Sequence, residues 1–137
     1  MVAAAATSAS PARAQSISDV KLGEAKQLAG AVLRALQQCV QRKGPGASCT
    51  LAEVASAAGV NPGTGASGDG RWVVGPSSTL TLSSGAPPVT TGAITVAGTT
   101  RDTAGLATSL YVMPSGSKCR CETRSGAPPG PDGGARC

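Results

Sequence analysis

Residues 19–40 read DVKLGEAKQLAGAVLRALQQCV, and their apolar side chains recur at alternating steps of three and four. This spacing is typical of one stripe along an α-helix. Ser18 or Asp19 can cap the start of such a helix, and the basic pair Arg42-Lys43 suits its negative end. The pattern predicts a helix over residues 19–43 whose stripe packs on a sheet. The stripe consists of Leu22, Ala25, Ala29, Val32 and Leu36.

A second, short helix is predicted from TLAEVASAAG, residues 50–59. Thr50 and Glu53 have the spacing of a capping box, and Gly59 suits the left-handed residue that follows a helix. Asn61-Pro62 then prevents the helix from continuing.

Beyond residue 70 the pattern changes to a period of two, in short runs rich in β-branched residues and punctuated by Gly and Pro. The runs are RWVVG (71–75), STLTLSSG (78–85), GAITVAG (92–98) and TSLYVMP (108–114). Leu80 and Leu82 share one face of their run, as do Ile94 and Val96, while the intervening threonines face the other way. The expected fold class is α+β, a long N-terminal helix packed on a small antiparallel sheet of about four strands.

One domain is expected over residues 16–137: the helix 19–43, a connecting region 44–70, the sheet 71–113 and a C-terminal loop 114–137. Ala12-Arg13-Ala14 resembles a signal-peptidase site, but no basic residue and only a weak apolar segment precede it. Residues 1–15 are therefore predicted to be a leader or an added segment, and to be flexible. No stretch approaches the roughly 18–20 apolar residues that span a bilayer.

Composition excludes several kinds of site. The chain has no histidine and no CxxC pair, which leaves few ways to build a zinc or haem centre, so no cofactor and no metal are expected. The seven carboxylates lie far apart in sequence, and no Ser, Lys or Cys belongs to a recognisable nucleophile motif. The sequence therefore does not indicate an enzyme.

Five cysteines favour disulfides formed in an oxidising compartment. Cys39 and Cys49 flank the turn Gly44-Pro45-Gly46, and a bond between them would join the two helices; the alternative is two buried thiols. Cys119 and Cys121 alternate on what looks like a strand, and Cys137 lies across a Pro/Gly loop. Only one of the two can bond to Cys137, and the sequence leaves that choice open.

The order of these parts resembles the globular part of type IV pilins. ARAQ (12–15) followed by GEAKQLAGAVLRALQQC (23–39) looks like the point where a pilin's first helix enters the headgroup. GDGRWVV (68–74) and GAITVAG are similar to pilin β-region sequence. PSGSKCRCETRS, from residue 114, and the final cysteine lie where the family has its disulfide-bounded terminal loop.

The resemblance implies a structural subunit of a type IV pilus (fimbrium), a filament on the bacterial surface that serves adhesion, twitching motility or DNA uptake. It implies secretion, methylation as in that family, and other pilin subunits or a host surface as partners. Pilins begin with an apolar half-helix that bears a glutamate, and nothing here corresponds to it. A membrane contact would need that helix. The expectation is a soluble form in which MVAAAATSAS, residues 1–10, replaces it, or a relative that does not polymerise.

Two other functions compete with the filament subunit. The first is a DNA-uptake minor pilin that contacts the phosphates of duplex DNA through a basic stripe, since the net charge is +5. The stripe would comprise Arg71, Arg101, Lys118, Arg120, Arg124 and Arg136. The second is a secretion-system pseudopilin. Such relatives often have a calcium-binding loop in place of the terminal disulfide, whereas Asp69, Asp102 and Asp132 are isolated, which favours a true pilin.

Overall fold

The structure, a computed structural model, describes the backbone of residues 2–123 and the side chains from Ile17 onward. It is an α+β fold with one long helix and an antiparallel sheet. In chain order the elements are α1 (Val2–Lys43), β1 (Ser48–Thr50), α2 (Leu51–Ala58), β2 (Trp72–Val74), β3 (Thr79–Leu82), β4 (Thr90–Gly98), β5 (Ala107–Val112) and β6 (Lys118–Thr123).

Helix α1 ends at Lys43, as the sequence predicts, but it begins at Val2 rather than near Asp19. Residues 2–15, expected to be a flexible leader or added segment, belong to this helix. Alanine has the highest helix propensity of all residues, and the segment is rich in it. The prediction gave the capping residues Ser18 and Asp19 more weight than this propensity, and the cap is wrong because the helix continues through both.

The second half of α1 packs on the sheet. All five residues of the predicted stripe are fully buried and belong to the hydrophobic core. The helix contacts β3, β4 and β5, where Leu80, Ile94 and Leu110 are also fully buried. The core is therefore a layer of aliphatic side chains between one helix and one sheet face.

Among the described residues the sheet has six strands, not four. Its order is β1-β3-β4-β5-β6, and β2 pairs with the end of β4 beyond β3. All pairs are antiparallel. The four predicted runs are all strands. Strand β1 was missed because it has only three residues. The spacing of Cys119 and Cys121 indicated a strand at β6, but the prediction placed it in the C-terminal loop because its charged residues alternate with cysteines rather than with large apolar side chains.

Strand β6 corrects the predicted C-terminal loop 114–137. Six residue pairs join it to β5, from Val112 opposite Lys118 to Ala107 opposite Thr123. Residues 118–123 are thus held by backbone hydrogen bonds in the sheet, and the predicted loop is wrong for them. The rest of the predicted loop, residues 124–137, lies outside the described residues.

The strand registers divide the sheet into two faces. Opposed residues share a face, so the even-numbered residues of β3 to β6 lie on the side of α1. Leu80 and Leu82 are on this side, as are Ile94 and Val96, which confirms the predicted alternation. Trp72 lies there too, almost fully buried against the helix.

Helix α2 follows its predicted signals. The backbone N–H of Thr50 donates to Glu53 Oε2 at 2.9 Å, one half of a capping box. Gly59, with a φ of 81°, ends the helix in the left-handed region that glycine adopts without strain. Lys43 donates to the same Glu53 carboxylate, so the end of α1 is tied to the start of α2.

Candidate functional site

The predicted bond between Cys39 and Cys49 is present, with the two Cα atoms 6.2 Å apart. It joins the last turns of α1 to β1, and both cysteines are buried. Within the described residues, one group of potential metal ligands comes together, formed by these cysteines and Glu53. Because the two sulfurs are bonded to each other, they do not offer thiolate ligands.

Cys119 and Cys121 lie on the face of β6 opposite the helix, and both are buried. They point to the same side, as their spacing predicts. Cys119 is disulfide-bonded, whereas Cys121 is a thiol, so the structure decides which of the two adjacent cysteines is cross-linked. Cys137, the third cysteine of this group, lies outside the described residues.

Arg71, a predicted DNA contact, binds two carboxylates of its own chain. Its guanidinium donates to Asp102 Oδ2 at 2.8 and 3.2 Å and to Glu24 Oε1 on α1. The Trp72 indole N–H donates to the same Glu24 oxygen at 3.3 Å. This Arg71 cluster (Arg71, Glu24, Asp102 and Trp72) connects the helix to β2 and to the loop between β4 and β5.

The Arg71 cluster changes the acidity of its members. The Thr100 hydroxyl and then the Arg71 guanidinium hold the pKa of Asp102 below its usual value, because both stabilise the carboxylate. The reciprocal interaction with Asp102 raises the pKa of Arg71. The charge of Arg71 is thus balanced inside the protein, which removes it from the predicted basic stripe.

The other predicted phosphate contacts divide into three sets. Lys118 and Arg120 are exposed on the helix side of β6. Arg101 is exposed in the loop after β4. Arg124 and Arg136 lie outside the described residues. Of the predicted stripe, the structure therefore brings Lys118 and Arg120 together on one strand.

Arg120 lines a surface depression together with residues of α1. We call this depression the α1–β6 groove. The groove has a volume of about 490 Å³ and is lined by Lys26, Gln27, Gly30, Arg34 and Arg120. The Lys26 ammonium also lies 2.6 Å from a carboxylate oxygen of Glu122 on β6. Sequence reasoning missed the groove. The four-residue steps from Lys26 through Gly30 to Arg34 indicate a shared helix face, but not that β6 lies beside it.

A second surface lies where α1 leaves the sheet. Leu22 is the first buried residue among the described helix side chains, and Ile17 and Val20 before it are 48% and 68% exposed. These two are one helical turn apart and so share a face. The twenty residues from Val2 to Lys21 correspond to about 30 Å of helix at 1.5 Å per residue. In the part of the chain that the structure describes, no helix is both long and apolar enough to span a bilayer.

Comparison of the chain with models of known protein families, with curated proteins and with solved structures gave no match.

Proposed function

We propose that this protein is a structural subunit of a surface filament of the type IV pilin kind. The observation that carries the proposal is the division of α1. The helix is 42 residues long, and among its described side chains the buried ones run from Leu22 to Val40, so twenty residues of the helix precede the first described side chain that packs on the sheet. A sheet domain carried on one end of a long helix is the architecture that the resemblance to pilins leads us to expect.

The exposed apolar pair gives the extended helix a reason to associate. Fully burying an aliphatic side chain of this size is worth about 1.5–3 kcal/mol, so Ile17 and Val20 together favour contact with another surface. When this apolar pair of one subunit packs on a different surface of the next subunit, the contact is head-to-tail. A head-to-tail contact that does not close into a ring produces an open helical filament. The proposed partner is therefore another subunit.

The cysteines support the proposed location at the cell surface. Disulfides persist in oxidising compartments. In this protein Cys39 is bonded to Cys49, and Cys119 is also disulfide-bonded. A bonded cysteine in the C-terminal region also favours a pilin over a secretion-system pseudopilin, since those relatives often use a calcium loop there. Contacts with a host surface would then fall to the domain rather than to the extended helix.

Filament formation can be tested on the purified protein. A photo-crosslinking residue at position 20 is expected to give a ladder of covalent multimers as the protein concentration rises, and negative-stain microscopy is expected to show filaments. The matched control carries the crosslinker at position 89, an exposed valine in the loop before β4.

Charge substitutions complete the test. Val20→Glu is expected to abolish multimers, because it places a carboxylate in the proposed contact, whereas Val89→Glu is expected to assemble normally. A protein that stays monomeric at every concentration, or that crosslinks equally well from both positions, would contradict the proposed function.

A further inference from the structure

We propose that the α1–β6 groove binds an oligophosphate, a ligand with at least two neighbouring phosphate groups. Arg34 approaches the groove from the helix and Arg120 from the edge of the sheet, and both are exposed. This inference is independent of filament formation, since it concerns residues that are accessible in the monomer.

The carboxylates in the part of the chain that the structure describes already have partners. Glu24 and Asp102 bind Arg71, Glu53 binds Lys43, and Glu122 binds Lys26. Asp69 accepts hydrogen bonds from the Ser67 hydroxyl and the Arg71 backbone, and Asp19 also has a partner. Every carboxylate in the described part of the chain is therefore occupied.

The two guanidiniums of the groove are in the opposite situation. Among the described residues neither Arg34 nor Arg120 forms an ion pair, although three of the other cations do. A second copy of the described residues could pair with them through Glu24, Glu53, Asp102 or Glu122 only by breaking one of its own ion pairs. The geometry therefore points to an anion that the described chain does not itself supply.

The lining identifies the chemistry of that anion. Guanidinium groups bind phosphate through two parallel hydrogen bonds, and both guanidiniums line the groove, whereas the Lys26 ammonium at the rim is already paired with Glu122. Among the described side chains, no aromatic or large apolar one lines the groove, so they offer no platform for a base and no pocket for an acyl chain. The phosphates themselves must be what is recognised.

The dimensions favour several phosphates over one. Lys26 and Arg34 are eight residues apart on the helix, a rise of about 12 Å. Gly30 lies between them and has no side chain; a Cβ there would lie 3.6 Å from Arg34 Nη1. The Arg34 guanidinium therefore lies against Gly30, over the middle of the groove, where a chain of phosphate groups that runs along the helix would contact it.

The same chemistry is presented by a free oligophosphate and by the backbone of duplex DNA, and binding measurements separate these sources. Tripolyphosphate and a short DNA duplex are titrated into the protein at about 50 and 200 mM NaCl. If both guanidiniums contact duplex phosphates, the logarithm of the affinity falls with a slope of about −1.8 against the logarithm of the salt concentration, roughly a tenfold loss over this range. Binding of tripolyphosphate alone would identify the small ligand, and binding of the duplex alone the backbone.

Two substitutions test the residues. Arg34→Gln and Arg120→Gln are each expected to weaken binding of the active probe about tenfold and, for a duplex, to reduce the salt slope by about 0.9. Arg42→Gln is the matched control, because it removes the same charge from an exposed position near the end of the same helix, outside the groove. Gly30→Asp places a carboxylate beside Arg34 and is expected to abolish binding.

All four variants change exposed or half-buried positions and should keep the circular dichroism spectrum of the wild type. The proposal is overturned if neither probe binds at the lower salt. It is equally overturned if Arg42→Gln weakens binding as much as Arg34→Gln does, since net charge alone would then account for the effect.

Discussion

Gly23 and Gly92 show how differently one residue type can be constrained in this fold. Gly23 lies inside α1, where an added Cβ would meet nothing within 4 Å. Gly92 lies in β4 on the helix side, where a Cβ would be 2.2 Å from the backbone oxygen of Thr79 on the neighbouring strand. The first glycine only weakens the helix, whereas the second allows two strands to approach.

These surroundings predict opposite effects of the same substitution. Gly23→Ala should raise the free energy of unfolding by about 0.5–1 kcal/mol, because alanine loses less backbone entropy in a helix. Gly92→Ala should lower it by about 1–3 kcal/mol, the usual cost of forcing extra volume into a packed region. Urea denaturation of both variants measures the two shifts. A change of the same sign in both would show that the close approach at Gly92 does not constrain the fold.

At the scale of elements, the Arg71 cluster makes the docking of α1 depend on pH. Since the pKa of Asp102 is lower in the folded protein than in the unfolded chain, its contribution to stability is complete above about pH 4. The contribution is lost as the pH falls through the lowered value of the folded state. Asp102→Asn should therefore be less stable than the wild type at pH 7 and should lose less stability on acidification below pH 4.

The fluorescence of Trp72 measures this effect, because it is the only tryptophan and its indole donates to Glu24 in the same cluster. Urea unfolding followed at pH 7, 5 and 3 gives the pH dependence of both proteins. Some acid dependence should remain in Asp102→Asn, since hydrogen bonds from Ser67 lower the pKa of Asp69 and those from Lys43 lower the pKa of Glu53. Parallel curves for the two proteins would exclude a role for Asp102.

The elements that could be predicted from sequence are those with a local signal. The stripe from Leu22 to Leu36, the caps of α2 and the alternation in β3 and β4 each depend on neighbouring residues, and each is seen in the structure. The start of α1 was misjudged because capping residues and alanine propensity gave conflicting local signals. Strand β1 could not be found in this way, since pairing with β3 defines it. The alternation of Cys119 and Cys121 indicated a strand at β6 but neither its bounds nor its pairing with β5.

At the scale of the whole molecule, the two candidate sites differ in the same way: one is local in sequence, and the other is formed by distant parts of the chain. The exposed pair Ile17 and Val20 belongs to one helix and could have been read from its periodicity. The α1–β6 groove combines Lys26 and Arg34 of the helix with Arg120, eighty-six residues further along the chain than Arg34. Only the packing of the helix across the sheet brings these charges together, so composition could indicate a basic protein but not where the cations meet.

The bond between Cys39 and Cys49 fixes that packing at one end of the helix, and its removal should destabilise the whole domain. The two cysteines are ten residues apart, and closing a loop of this length is worth about 2–4 kcal/mol. The free energy of unfolding of a domain of ordinary size is about 5–15 kcal/mol in total, so this bond would contribute a large fraction of it. The double variant Cys39→Ala, Cys49→Ala should melt roughly 10 °C below the wild type.

Thermal melts with and without a reducing agent separate this bond from the one at Cys119. In the wild type a reductant removes both contributions, whereas in the double variant any further fall in melting temperature must come from Cys119, which is also disulfide-bonded. We expect the larger share to belong to Cys39 and Cys49, because β6 is held to β5 by six residue pairs of its own, while β1 has three. A double variant that melts with the wild type would show that the Lys43–Glu53 ion pair and the buried stripe fix the helix without the disulfide.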